Sequence, residues 1–213
     1  MKKTKFMRAA LLLLVLTLIT SCFVGGTFAK YTTSASGNDS ARVAKFGVIV
    51  SANSATFKDK YDNDTSATVI GENEAKVVAP GTSGGMPAMT LSGKPEVAVK
   101  VTYEGKVELT GWTVTSGFYC PLIIKINGTP VDTSNATDAS SFADAINSAI
   151  KDYSKDYAAG ADLSSAVSPA ITWEWPFSTA GNDAKDTELG DAAAKDNAPT
   201  ITIAVATTVT QID

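Results

Sequence analysis

The 213-residue chain contains no histidine. That absence excludes a Ser-His-Asp triad, a Cys-His nucleophile pair and the H-E-x-x-H zinc motif outright. Cysteine is almost missing too, with two residues in the whole chain, Cys22 and Cys120. Without histidine, and with so little thiol, a zinc site of the usual kind has no ligand set. No P-loop and no G-x-G-x-x-G occurs, and no metal or cofactor is expected. Charge is modest at 19%. Long hydrophobic runs are absent apart from Ala9 to Ile19, which is shorter than the roughly 20 residues that cross a bilayer.

That run has a recognisable setting. Lys2, Lys3, Lys5 and Arg8 precede it, and a small-residue stretch ending at Thr27-Phe28-Ala29 comes after it. A basic head, a short apolar core and a small-residue end make a secretory signal peptide over residues 1–29, cleaved between Ala29 and Lys30. Ile19-Thr20-Ser21-Cys22 also fits a lipoprotein signal, in which Cys22 would be lipidated; this alternative stays open. The chain is thus expected to be secreted, in the extracellular matrix or at the cell surface, touching membrane only through its signal.

Four of the 18 basic residues and none of the 22 acidic ones precede Lys30, so the remainder carries net charge −8. Such a domain is repelled by nucleic acid and by anionic membrane surfaces. With Cys120 alone after cleavage, no intramolecular disulfide is possible and packing must hold the fold.

Residues 30–42 are polar, with Tyr31 the only large apolar side chain. They read as an extended N-terminal arm. Residues 43–213 read as one domain. Val43 to Val50 has strand character, an acidic turn-rich segment runs from Asp59 to Asp64, and short strands are expected at Ala67–Ile70 and Ala75–Ala79. Pro80 to Gly85 reads as a loop. Val97, Val99, Val101 and Tyr103 alternate with polar residues, the pattern of a half-buried strand. Val107 and Leu109 keep this phase whereas Trp112 and Val114 change it, which predicts a bulge at Gly111. Leu122, Ile124 and Ile126 lead into Asn127-Gly128, a hairpin turn.

Helical spacing of Phe142, Ala145, Ile146, Ala149, Ile150, Tyr153 and Tyr157 predicts an amphipathic helix over about 141–157, with Ser141 and Asp144 as a capping box and Gly160 at its end. Ile171, Trp173, Trp175 and Phe177 share one face of a further strand. Asn182 to Lys195 reads as a loop with a short helical turn, and Thr200 to Val209 as a last strand. Many strands separated by Gly/Pro turns, with one inserted helix, indicate an all-β antiparallel sandwich.

Three chemical signals are weak. Ser148-x-x-Lys151 matches a penicillin-recognising nucleophile motif but lacks its partner motifs. Asp59, Asp62, Asn63 and Asp64 lack the spacing of a calcium loop. Trp173 and Trp175 could form a sugar-stacking platform, although Ile171 and Phe177 on the same face favour core packing. No catalytic set emerges, and an enzyme is not expected.

Several segments, in order, resemble the TasA and camelysin-like group of secreted proteins of Gram-positive bacteria. They are residues 25–32 (Gly25-Gly26-Thr27-Phe28-Ala29-Lys30-Tyr31-Thr32), Ser40 to Gly47, Ala79-Pro80-Gly81-Thr82, Gly93 to Val97, Trp173-Glu174-Trp175-Pro176-Phe177, Asp186-Thr187-Glu188-Leu189-Gly190 and the Thr/Val-rich end. The resemblance implies a SipW-type signal peptidase, a jelly-roll-like sandwich and head-to-tail self-assembly into biofilm-matrix fibres. It further implies that the arm freed by cleavage completes the sheet of the next subunit. Lys30, Tyr31, Thr33, Ala35 and Arg42 would belong to that donor strand. The metalloprotease activity ascribed to camelysin-like relatives is not carried over to a chain without histidine. A monomeric surface-binding module, carbohydrate-binding through Trp173 and Trp175 or anchored through Cys22, is the competing expectation.

Overall fold

The computed structural model describes residues 6–17, 42–51, 57–61, 68–177, 181–195 and 198–212. The chain divides into two units, Met1–Val43 and Ala44–Asp213. In the first, residues 6–17 form helix α1, exposed along its whole length. Among the described residues no helix is long and apolar enough to cross a membrane. The cleavage point at Ala29 and Lys30, the cysteine Cys22 and the arm residues Lys30, Tyr31, Thr33 and Ala35 lie outside the described residues. Arg42 is described and exposed, with its guanidinium donating to the Val43 carbonyl at 3.2 Å.

The second unit holds every described residue of the buried core, so it carries a complete core of its own. Its longest strand pair is built from β6 (Val99–Thr110) and β13 (Thr200–Gln211), far apart in sequence and antiparallel from Thr200 opposite Thr110 to Gln211 opposite Val99. Alternation sets the two faces. Val99, Val101, Tyr103 and Val107 are buried while Lys100, Glu104, Lys106 and Glu108 face solvent, as a period of two requires. β11 (Lys155–Tyr157) pairs with the other edge of β6, giving the order β11-β6-β13.

A four-stranded antiparallel sheet runs β10-β9-β12-β4, from β4 (Ser83–Met86), β9 (Ile123–Ile126), β10 (Thr129–Pro130) and β12 (Ile171–Glu174). Its inner face contributes Ile124, Ile126, Ile171 and Trp173 to the core. Asn127 and Gly128, with φ of 48° and 81°, close β9 onto β10; two positive φ values are what a type I′ turn requires. Short pairs complete the fold: β1 (Ile49–Ser51) with β5 (Thr90–Ser92), β2 (Lys60–Tyr61) with β3 (Val69–Ile70), and β7 (Thr113–Val114) with β8 (Gly117–Phe118). The protein is therefore mainly β, antiparallel and sandwich-like.

Helix α2 (Ala139–Lys151) packs on β6 and buries Phe142, Ala143, Ile146 and Ile150. It starts earlier and ends sooner than its periodicity predicts. Its cap is Asp138, which accepts from the Ser141 N–H at 2.7 Å, while the Ser141 hydroxyl bonds back to the Asp138 N–H. The stripe is cut at Lys151 because the open edge of β6 captures residues 154–157. Ser154 Oγ accepts from the Tyr103 N–H, and Lys155 pairs with Val101. Tyr157 is thus a strand residue, and Gly160 ends nothing helical.

Other expectations are corrected in the same way. Ser83 to Gly85 lies in a strand, because glycine is what lets it approach β12: a Cβ on Gly85 would stand 2.7 Å from the Ile171 carbonyl oxygen. The Val43–Val50 segment pairs only from Ile49, and Ala75–Ala79 forms a single bridge, Val77 to Lys58. At Gly111 (φ 78°) the strand ends and the chain kinks, which returns Trp112 to the buried side. Asp183–Ala193 is a full helix, α3. Beyond Pro176 the face is lost, and Phe177 is 58% exposed.

Candidate functional site

Among the described residues no three His, Cys, Asp or Glu side chains cluster as metal ligands. Ser148 and Lys151 sit on the exposed side of α2. Burial pushes the Cys120 thiol up to about 12, which favours its protonated form at neutral pH.

The sugar-platform expectation is overturned. Trp173 is 2% exposed, with its ring 5.3 Å from that of Phe57 and 6.1 Å from that of Tyr61. Trp175 is 5% exposed and lies 5.8 Å from Trp112. A stacking platform needs a free aromatic face, and both rings are almost wholly covered, each burial being worth about 1.5–3 kcal/mol or more.

What the fold does offer is a cleft of about 640 Å³. Several segments build it. Val77 to Pro80 forms one side, and Trp112 and Trp175 lie along the wall. Leu189, Gly190 and Ala193 of α3 close another side, and Pro199 to Ile203 contributes the start of β13. Each wall has a local cause. The Thr82 hydroxyl donates to the Ala79 carbonyl at 2.7 Å and accepts from its N–H, fixing the Pro80-Gly81 turn. Gly81 and Thr82 then exchange backbone hydrogen bonds with Trp175, fixing its main chain beside the turn. Trp112 Nε1 donates to the Thr200 carbonyl at 2.8 Å and pins the first residue of β13. The Nε1–H of Trp175 is buried without an acceptor.

The β13 wall is distinctive. Among the described residues β13 is paired on one edge only, to β6. It is 12 residues long and contains no charge and no proline. Natural sheet edges are usually blunted by lysine, proline, bulges or short length, because an open row of N–H and C=O groups invites another strand. Of its inward side chains Ile203 is buried, whereas Ile201, Val205 and Val209 are only half-buried, Val209 standing opposite the fully covered Val101 of β6.

Helix α3 is held by charge. Tyr119 Oη donates to Asp186 Oδ1 at 2.7 Å, and the Thr115 N–H donates to Glu188 Oε2 at 2.6 Å. The Lys185 ammonium lies 5.1 Å from the centre of the Tyr119 ring. Thr115 holds the Glu188 carboxyl below the usual carboxylate range. Burial, then the Asp186 carboxylate, pushes the Tyr119 hydroxyl up.

The cleft was not foreseen from sequence, although the uncharged alternation of Thr200 to Val209 carried one trace of it. Of the expected donor-strand residues only Arg42 is described. Comparison with protein-family models, curated proteins and solved structures returned no match.

Proposed function

We propose that this is a secreted structural protein of the TasA and camelysin-like group that polymerises head-to-tail into extracellular matrix fibres. In this reading the fold is a jelly-roll variant, a SipW-type peptidase cleaves after Ala29, and the freed arm from Lys30 to Arg42 adds as a strand to the next copy. The acceptor is the open edge of β13 beside the cleft.

The single observation that carries the reading is that edge, long, uncharged and unpaired on one side among the described residues, set against an apolar cleft. Strand addition supplies main-chain hydrogen bonds to such an edge. The arm suits the donor role because it is polar, short of core-forming residues and preceded by a cleavage site. Donor and acceptor are different surfaces of one chain. Such a contact is heterologous and extends into a filament unless its rotation closes a ring.

Electron microscopy of the chain from Lys30 to Asp213, beside the chain from Val43 to Asp213, tests the assignment. Filaments from the first and monomers from the second are expected. Monomers from both, across a range of salt and pH, would remove the fibre assignment.

A further inference from the structure

The two helices of the 44–213 unit are held very differently. α2 has a reciprocal cap and four buried residues. α3 buries Leu189 alone, its Asn182 cap makes no side-chain bond, and it has no basic residue in its last turn. It also carries Gly190 in its interior, where nothing lies within 4 Å of an added Cβ, and a helical glycine there costs stability. Its principal packing partner among the elements is β7. What fixes it there is the pair of carboxylate bonds, Asp186 to Tyr119 and Glu188 to the Thr115 N–H. Yet this weakly packed helix supplies one wall of the cleft beside β13.

We propose that α3 is a hinged flap over the strand-acceptor cleft, latched to the β7–β8 hairpin by Asp186 and Glu188, and that its release admits the incoming strand. The inference rests on the acceptor reading of the cleft. Segments that move for binding are drawn from the least stable part of a fold, and α3 meets that description by its packing. When the latch opens, Leu189 and Ala193 leave the cleft wall and widen access to Trp112, Trp175 and the start of β13. Two bonds to ionised acceptors are a suitable latch, strong enough to hold a short helix closed and weak enough to break reversibly.

Hydrogen exchange read by mass spectrometry on the chain from Lys30 to Asp213 tests the flap directly. The double variant Tyr119→Phe, Glu188→Ala removes both latch bonds. It keeps the Tyr119 ring and does not lower the helix propensity of α3. Exchange of α3 amides is expected to rise about tenfold or more, the effect of losing bonds to charged groups. Gly190→Ala stiffens the same helix and is expected to slow that exchange about fivefold. Exchange in α2 stays unchanged in both.

Unchanged α3 exchange in the double variant overturns the flap, as does an equal rise in α2, which would report global loosening. Filament growth supplies the second readout: faster elongation for the double variant and slower for Gly190→Ala support gating. An elongation rate indifferent to both, with α3 exchange responding, overturns it. A parent chain that forms no filament overturns the acceptor reading, and with it the flap's role in admission; α3 exchange then still decides whether the latch exists.

Discussion

Two tryptophans that touch each other should respond in opposite ways to one substitution. Trp112 and Trp175 are both buried and their rings lie 5.8 Å apart. Replacing either by phenylalanine removes roughly 40 Å³, a cavity cost of about 1 kcal/mol at each site. The hydrogen bonds then separate them. Trp112 Nε1 donates to the Thr200 carbonyl, so Trp112→Phe also strips a donor from that carbonyl, adding about 1–3 kcal/mol. Trp175 Nε1 has no acceptor, so Trp175→Phe removes an unsatisfied buried donor and regains about 1–3 kcal/mol. The expectation is a loss of about 2–4 kcal/mol for Trp112→Phe and a change near zero or a gain for Trp175→Phe. Urea unfolding of the chain from Val43 to Asp213, monitored by circular dichroism, measures both. Equal losses, or a larger loss for Trp175→Phe, would refute the hydrogen-bond reasoning. In the proposed assembly the Trp112 bond would have a second role, because it fixes the residue at which the open edge of β13 begins.

Packing and titration give two further expectations. Gly105 lies under α2, where an added Cβ would stand 2.6 Å from Asn147 Oδ1 and 2.7 Å from Ile150 Cδ1; Gly105→Ala should cost about 1–3 kcal/mol in chemical denaturation. Asp138→Ala, which removes the α2 cap, should lower the thermal midpoint by a few degrees at neutral pH. The Ser141 N–H and hydroxyl hold the Asp138 carboxyl below its ordinary value. The cap's contribution is therefore complete above the unfolded pKa of about 3.9 and disappears as pH falls through the lower folded value. The difference in midpoint between parent and variant should vanish in strong acid.

The long strands could be read from sequence because their environment is one-sided. Val99 to Tyr103 and Thr200 to Val209 alternate because one face of the sheet meets the core and the other meets water. Asn127-Gly128 was legible because the turn needs two positive φ values. Other elements depend on neighbours that sequence does not display. Pro80 to Gly85 reads as a loop by composition, yet Gly85 serves close approach to Ile171 and Thr172 in a strand. Tyr153 and Tyr157 continue a helical period, but the unfilled edge of β6 turns residues 155–157 into a strand. α3 lacks a stripe because it buries only Leu189. The cleft escapes prediction since its walls come from residues near 77, 112, 175, 189 and 200, joined only in the folded chain.

The central claim is that the β13 edge accepts the arm, and strand addition in trans tests it most directly. A peptide of residues 30–42 is added to the chain from Val43 to Asp213, and exchange of the β13 amides is measured. The account predicts new protection concentrated at Thr200 to Val205, in the amides that do not bond to β6. Binding that leaves these amides unprotected, or protection confined to another element, would contradict it.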